Sequence, residues 1–163
     1  MNFGNRVLAA VAEKSVTAGD WLAARRGRVP EKPEHLVTGE RGELAALFYL
    51  MRNGYEVVAR RWNEGPEPGD LDLVAWQEDV LCFIEVKTRT AEGLAAPELA
   101  VDAHKRKILR RLAEQYLRHL PGEERTPRVR FDIVTVVELP GQARRIRLIP
   151  GAFGWSERRG RDD

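Results

Sequence analysis

The stretch GDLDLVAWQEDVLCFIEVKTRT, residues 69–90, decides the fold because it joins two apolar segments that also carry charged side chains. Each segment has the length and the β-branched and aromatic content of a strand, and the pair Glu78–Asp79 separates them as a short turn. The stretch therefore predicts a hairpin at the centre of a sheet. Its acids need an explanation, since a buried charge is costly unless it is paired or binds a metal ion.

The alternation of side chains along each strand assigns the charges of this hairpin to faces. Glu85 and Lys87 share one face with Phe83. A two-residue or four-residue turn places Asp72 directly opposite Glu85, at a spacing where like charges repel. A three-residue turn would instead place the two acids on opposite faces of the sheet.

Two facing carboxylates become a binding site when a divalent cation lies between them, and oxygen ligands suit Mg²⁺ or Mn²⁺. Asp72 and Glu85 are accordingly predicted metal ligands. Glu43, at the edge of the apolar face of a preceding helix, is a further acid for the same site. Lys87 is placed to contact a scissile phosphate or to position a water. The candidate catalytic residues are therefore Glu43, Asp72, Glu85 and Lys87, and the alternative is a structural cluster in which Lys87 neutralises the acids.

The rest of the chain alternates helical and strand patterns, which indicates an α/β domain with helices packed against a sheet. Thr38 is the predicted N-cap of a helix that stops at Gly54. Further elements are a long helix from Pro97 and strands at 55–62, 71–77, 80–88, 128–139 and 144–150. The predicted organisation is an N-terminal extension of short helices and a linker (1–34), one domain (35–154) and a loose tail (155–163).

Basic residues crowd the long helix and the end of the preceding strand. Arg89, Lys105, Lys107 and Arg111 are the predicted contacts to nucleic-acid phosphates, because cations beside an acidic metal site suit a phosphodiester substrate. A solvated helix face is the alternative.

Composition narrows the class of protein without identifying a partner. The chain has 163 residues, a net charge of +2 and one cysteine, Cys82, so a disulfide framework is excluded and a cytoplasmic location is expected. The three histidines are far apart in the sequence and make no zinc pattern. No window has the apolar length of a membrane span, so no membrane partner is expected.

An acid on one strand followed by Glu-x-Lys on the next, here Asp72, Glu85 and Lys87, resembles the PD-(D/E)XK nuclease signature. Several segments, in order, also resemble the small bacterial YraN family over residues 36–154. They are GERGELAALFYLMRNGYEVVARRW, GDLDLVAW, LCFIEVKTRT, AVDAHKRKILRRLA, RFDIVTV and IPGAF. The resemblance implies a restriction endonuclease-like fold, with a central mixed β-sheet flanked by helices, similar to that of archaeal Holliday-junction resolvases.

The same resemblance implies roles for particular residues. The family's helix glutamate falls on Glu43, its Glu-Val-Lys on residues 85–87, its helix lysine on Lys105 and its Arg-Phe-Asp on residues 130–132. The implied function is a Mg²⁺- or Mn²⁺-dependent endonuclease acting on DNA, with branched and single-stranded DNA among the candidate substrates and the substrate structure left open. A non-catalytic nucleic-acid-binding or scaffold protein is the alternative, and an RNA nuclease is a weaker one. The assembly, including a homodimer, is left open.

Overall fold

The computed structural model describes residues 34–90, 101–120 and 127–156. These residues form helices α1 (Glu34–Arg52) and α2 (Ala103–His119) and strands β1 (Glu56–Trp62), β2 (Leu71–Gln77), β3 (Val80–Arg89), β4 (Arg128–Val137) and β5 (Arg145–Phe153). The strands form one sheet in the order β1-β2-β3-β4-β5. Strands β3 and β4 are parallel, and the other neighbours are antiparallel. The predicted α/β, restriction endonuclease-like architecture is confirmed.

Each face of the sheet is covered by one of these helices, which gives two apolar layers. The layer under α1 contains Ala45, Ala46, Leu50, Tyr55, Leu73, Ala75, Cys82, Ile84, Val86, Val134 and Val136. The layer under α2 contains Leu71, Val74, Leu81, Phe83, Val101, Leu109, Leu112, Ala113, Phe131 and Ile133. Because β3 contributes to both layers, it is buried on both faces, and a charged residue such as Glu85 is exceptional there.

The hairpin between β2 and β3 has the predicted register. Gln77 pairs with Val80 and Val74 pairs with Phe83 around a two-residue turn, in which Glu78 has a φ of 55°. The last pair of the ladder is Leu73 with Ile84. Asp72 therefore lies at the end of the paired region, next to the segment that carries Glu85.

Helix α1 begins at Glu34, so the predicted start at Thr38 is wrong. The extra turn includes the exposed Leu36 and Val37. Nothing in this turn interrupts helical hydrogen bonding, so the helix continues beyond the apolar face on which the prediction relied. The stop at Gly54 is confirmed.

The long helix is shorter than predicted, because α2 begins at Ala103 instead of Pro97. Asp102 has an extended backbone (ψ 170°), and its carboxylate accepts a hydrogen bond from the Lys105 N–H at 2.8 Å. This N-cap satisfies an amide that has no partner within the helix, and it defines where the helix starts.

Several predictions concern residues that the structure does not describe. These are the short helices and linker before residue 34, the loop within 91–100 and the tail from residue 157. Across the described ranges, no helix combines the length and apolar character needed to cross a bilayer.

Candidate active site

The ends of β2 and β3 meet the first half of α1 around a cleft of about 730 Å³. Its lining is Thr38, Gly39, Glu43, Asp72, Glu85, Val86, Lys87, Thr88 and Thr90. The four candidate catalytic residues thus come from three elements and line the same cleft. We call it the acidic cleft.

Glu85 is the most deeply buried charge of the acidic cleft, with 3 % of its side chain exposed. Lys87 Nζ lies 2.8 Å from Glu85 Oε1, and Lys105 Nζ lies 3.2 Å from Glu85 Oε2. The Lys105 contact has the distance of an ion pair without the geometry of a hydrogen bond. Glu85 Oε2 consequently accepts no hydrogen bond from the described part of the chain. A buried oxygen left in this state has capacity for another ligand.

Asp72 faces the same cleft and holds the end of the β2–β3 ladder together. Its Oδ2 accepts the Val86 N–H at 2.6 Å, which replaces the next backbone pair. Burial, and then the charge of Glu85, raise the pKa of Asp72 from 3.8 to about 7. The Val86 hydrogen bond and the charge of Lys105 act in the opposite direction, and the charge of Glu43 adds to the rise. Without a cation, this carboxyl group is therefore poised between its two protonation states near neutral pH.

Glu43 reaches the cleft because α1 approaches β3 closely at the preceding residue. A Cβ atom at Gly42 would collide with Thr88 Oγ1, so only glycine permits this approach. Both carboxylate oxygens of Glu43 accept hydrogen bonds from Arg61, at 2.6 Å from Nε and 3.0 Å from Nη2. Arg61 itself has a φ of 46°, an uncommon backbone conformation for a residue with a side chain. The structure thus adds Arg61 to the site, a partner that the sequence did not indicate.

The donor set fits a small divalent cation. Asp72 and Glu85 supply oxygen ligands, and one of those oxygens is buried without a hydrogen bond. Among the residues that the structure describes, no group of three or more His, Cys, Asp or Glu side chains is arranged to hold a metal. Mg²⁺ is typically bound through one or two carboxylates while water and substrate phosphates complete its shell, so a two-carboxylate site suits it. Arg61 donates hydrogen bonds to both carboxylate oxygens of Glu43. The role of Glu43 as a metal ligand stays a prediction.

The predicted phosphate contacts are distributed over β3 and α2. Lys105 contacts Glu85, so its charge lies beside the acids of the cleft. Arg111 pairs with Glu67 in the β1–β2 loop at 3.3 Å. Arg89 lies near the end of β3, and Lys107 is exposed on α2. A role of these residues in binding nucleic acid stays a prediction.

Comparison with known proteins identifies the family of this chain. The model of "Uncharacterised protein family UPF0102" matches residues 42–136, which is more than half of the chain. The chain belongs to this family. A UPF0102 protein of Koribacter versatilis is 51 % identical over 107 residues, which cover 66 % of this chain and 73 % of that protein. One from Symbiobacterium thermophilum is 44 % identical over 115 residues, covering 71 % of this chain and 94 % of the relative. One from Rhodococcus opacus is 36 % identical over 119 residues, covering 73 % and 98 %.

The predicted YraN resemblance is therefore confirmed as membership of UPF0102. The span matched by the family model contains Glu43, Asp72, Glu85 and Lys87, and thus every candidate catalytic residue. It ends within β4, so that β5 and the residues after it lie outside the match.

Proposed function

We propose that this chain is a divalent-metal-dependent endonuclease that hydrolyses phosphodiester bonds in DNA. The observation that supports it most is the state of Glu85, a buried carboxylate in the lining of the acidic cleft whose Oε2 accepts no hydrogen bond from the described residues. Asp72 lies beside it with a pKa raised by burial and by Glu85. Buried charges that are retained in this way are costly to the fold, and such perturbed groups are concentrated at functional sites.

Asp72 and Glu85 would hold Mg²⁺ or Mn²⁺ through their carboxylates. An ion bound there would place positive charge beside the phosphate oxygens and would lower the pKa of a water molecule bound to it. Each carboxylate also has a fixed position without the ion, because the Val86 N–H binds Asp72 and Lys87 binds Glu85. The chain therefore presents the two acids in a prearranged geometry, which costs little reorganisation on binding.

Lys87 would act on the phosphate that is cleaved. Its side chain is 33 % exposed, so its ammonium group can reach solvent and substrate while it keeps contact with Glu85 Oε1. An ammonium group held in a partly buried cleft stabilises negative charge that grows on phosphate oxygens in the transition state. It can equally hold the attacking water by a hydrogen bond.

Lys105 and Glu43 would set the charge balance around this centre. Lys105, from α2, lies on the second oxygen of Glu85, so it neutralises the acidic pair in the absence of a cation. Glu43 is oriented by Arg61 and adds negative potential at Asp72. We assign Lys105 a positioning role at the centre, in addition to its predicted contact with phosphate.

The test is a cleavage assay on duplex, single-stranded and four-way-junction DNA with Mg²⁺, with Mn²⁺ or with EDTA. We expect cleavage of at least one substrate in a divalent cation, none in EDTA, and none with Asp72→Asn or Glu85→Gln. Asp70→Asn is the matched control, because this substitution removes the same charge from a position outside the lining of the cleft. Cleavage that persists in Asp72→Asn at the wild-type rate would place the activity elsewhere.

A non-catalytic nucleic-acid-binding or scaffold protein is the second candidate. It is favoured by the contacts of Glu85 with both Lys87 and Lys105, which resemble a self-neutralised structural cluster. In that case the protein binds DNA with a strong salt dependence, cleaves none of the substrates in either cation, and shows no stabilisation by Mg²⁺ or Mn²⁺.

A further inference from the structure

A second cavity, of about 780 Å³, lies between α2 and the end of β5. Its lining is Arg106, Arg110, Gly151, Ala152, Phe153, Gly154 and Ser156. The two arginines supply the charge of this lining, and the other lining residues are neutral. We call it the basic cavity.

The floor of the basic cavity is a bulge in β5. Phe131 pairs with Phe153 and Ile133 pairs with Ile149, so four residues of β5 span the distance of two residues of β4. Gly151 in this bulge has a φ of 63°, and its N–H donates to the buried Asp132 Oδ1 at 2.9 Å. The bulge is therefore anchored to the core, and bulges of this kind often re-aim side chains beside functional sites.

The two arginines are held on the wall by backbone and aromatic contacts. Arg110 Nε donates to the Gly154 carbonyl and Arg106 Nε to the Val101 carbonyl, each at 2.8 Å. Both guanidinium carbons lie 5.7 Å from the centre of the Phe153 ring. A guanidinium group carries its N–H donors in a planar fork that matches the geometry of phosphate, and the contacts through Nε and with the Phe153 ring orient both groups at the basic cavity.

Trp155 lies in the chain between two lining residues, Gly154 and Ser156. Its ring packs at an interplanar angle of 82° on the buried Phe131, 5.0 Å between centroids, yet the residue is 42 % exposed. An aromatic ring that is anchored on one side and open to solvent on the other, next to arginines, is typical of surfaces on which unpaired bases stack.

We propose that the basic cavity binds an unpaired nucleotide of a nucleic-acid substrate, with its phosphate on Arg106 and Arg110 and its base on Trp155. The inference rests on the proposed function and adds a substrate class to it: strands with unpaired nucleotides, as in single-stranded or branched DNA. A base within a continuous duplex is stacked on both faces and has none to offer to Trp155. Arg106 directly follows Lys105 in α2, and Lys105 contacts Glu85 of the acidic cleft.

The test measures binding by the full chain in EDTA, where the proposed cleavage does not occur. The ligands are short fluorescent oligothymidylate, oligouridylate and a blunt duplex of equal length. We expect Trp155→Ala to weaken binding of the unpaired strand ~5- to 100-fold, the range for losing one base stack, and to leave duplex binding unchanged. Arg110→Gln should reduce the slope of log K against log salt by about 0.7, as for one phosphate on a single strand.

Arg128→Gln is the matched control, since Arg128 is an exposed arginine at the start of β4 and lines neither of the two cavities. Trp155→Phe keeps the packing on Phe131 and guards against misfolding. It should retain most of the affinity and lose the quenching of tryptophan fluorescence that we expect oligothymidylate to cause in the wild type. The uridylate arm shows whether DNA or RNA is preferred.

The outcomes separate this inference from the proposed function. If the wild type cleaves DNA while Trp155→Ala and Arg110→Gln bind the unpaired strand like Arg128→Gln, the basic cavity is not the site. If unpaired strands require Trp155 and Arg110 but no substrate is cleaved in Mg²⁺ or Mn²⁺, the nuclease proposal fails and the binding site stands.

Discussion

Two neighbouring strands at the centre of the sheet each bury a carboxylate, and the surroundings of these two groups differ. Asp132 on β4 has a fully buried side chain, and its oxygens accept hydrogen bonds from Arg130 Nε at 2.7 Å, Arg130 Nη2 at 2.9 Å and the Gly151 N–H at 2.9 Å. Arg130 in turn donates to Tyr55 and Gln77. Glu85 on β3 contacts two lysines, yet its Oε2 lacks a hydrogen bond from the described residues.

The difference separates a structural acid from a candidate functional one. Asp132 lies in a network that joins β2, β4, β5 and Tyr55, the residue before β1, so its charge is satisfied by the fold. The partners of Glu85 are two partly exposed lysines at a cleft, and its neighbour Asp72 is a second acid that raises the electrostatic cost. Burial alone does not distinguish these two acids, whereas the oxygen without a hydrogen bond and the position in the lining of a cleft make Glu85 the candidate.

The largest expected effect is on stability, from removal of the structural acid. Asp132→Asn leaves Arg130 without its anionic partner and should lower the free energy of unfolding by ~3–5 kcal/mol, the usual range for breaking a buried ion pair. Glu85→Gln should change it little in EDTA, because Lys87 and Lys105 can extend toward solvent and repulsion with Asp72 is relieved. Urea denaturation of both variants measures the contrast. Equal losses would remove the distinction between the two carboxylates.

The second effect is on cleavage by the acidic cleft. Lys87→Ala should lower the rate at saturating DNA by ~10²–10³-fold, the scale for one lost electrostatic contact to the transition state. Affinity for DNA, measured in Ca²⁺, should change little. Lys107→Ala removes a matched lysine from α2 and should have the opposite effect. It should weaken DNA binding and reduce the slope of log K against log salt by about 0.9, with little change in the cleavage rate at saturating DNA. Identical behaviour of the two variants would favour the scaffold function.

The third effect concerns the metal ion. Mg²⁺ at ~100 times its dissociation constant should stabilise the folded chain by about 2.7 kcal/mol through binding to the native state alone. Thermal unfolding with and without Mg²⁺ should show this shift in the wild type and in Asp132→Asn, and no shift in Asp72→Asn. A shift that survives in Asp72→Asn places the ion outside the acidic cleft.

The smallest effect is a pH dependence of the metal-free protein. The pKa of Asp72 is about 7 in the folded chain, against 3.8 without the fold. Between these values the folded state binds more protons than the unfolded state, so stability should fall as pH rises from about 4 to about 7 and then level off. The change should be on the order of 2 kcal/mol, about half of what an isolated group with this shift would give, because the charge of Glu85 contributes to the raised pKa of Asp72. Denaturation in EDTA across this range should show the slope in Asp70→Asn and a weaker one in Asp72→Asn. An unchanged slope in Asp72→Asn would assign it to other groups.

The amino-acid sequence by itself determined the hairpin and the acids that it carries. Alternation with period two and a two-residue turn predicted Asp72 opposite Glu85, with Lys87 on the face of Glu85. The observed ladder follows this register as far as Leu73 and Ile84, the residues next to the two acids. These are short-range features, since strand register depends on residues within one hairpin. The α/β class followed equally from local patterns of helix and strand, and it is confirmed.

Tertiary structure alone decided which distant groups meet these acids. Arg61 on β1 holds Glu43 on α1, and Lys105 on α2 reaches Glu85 on β3. The basic cavity likewise combines Arg106 and Arg110 with a bulge of β5. Such contacts depend on how helices pack across a sheet and where a strand departs from its register, and no local periodicity encodes these distances. The sequence therefore determined the acids of the site, and the packing of separate elements decided their partners.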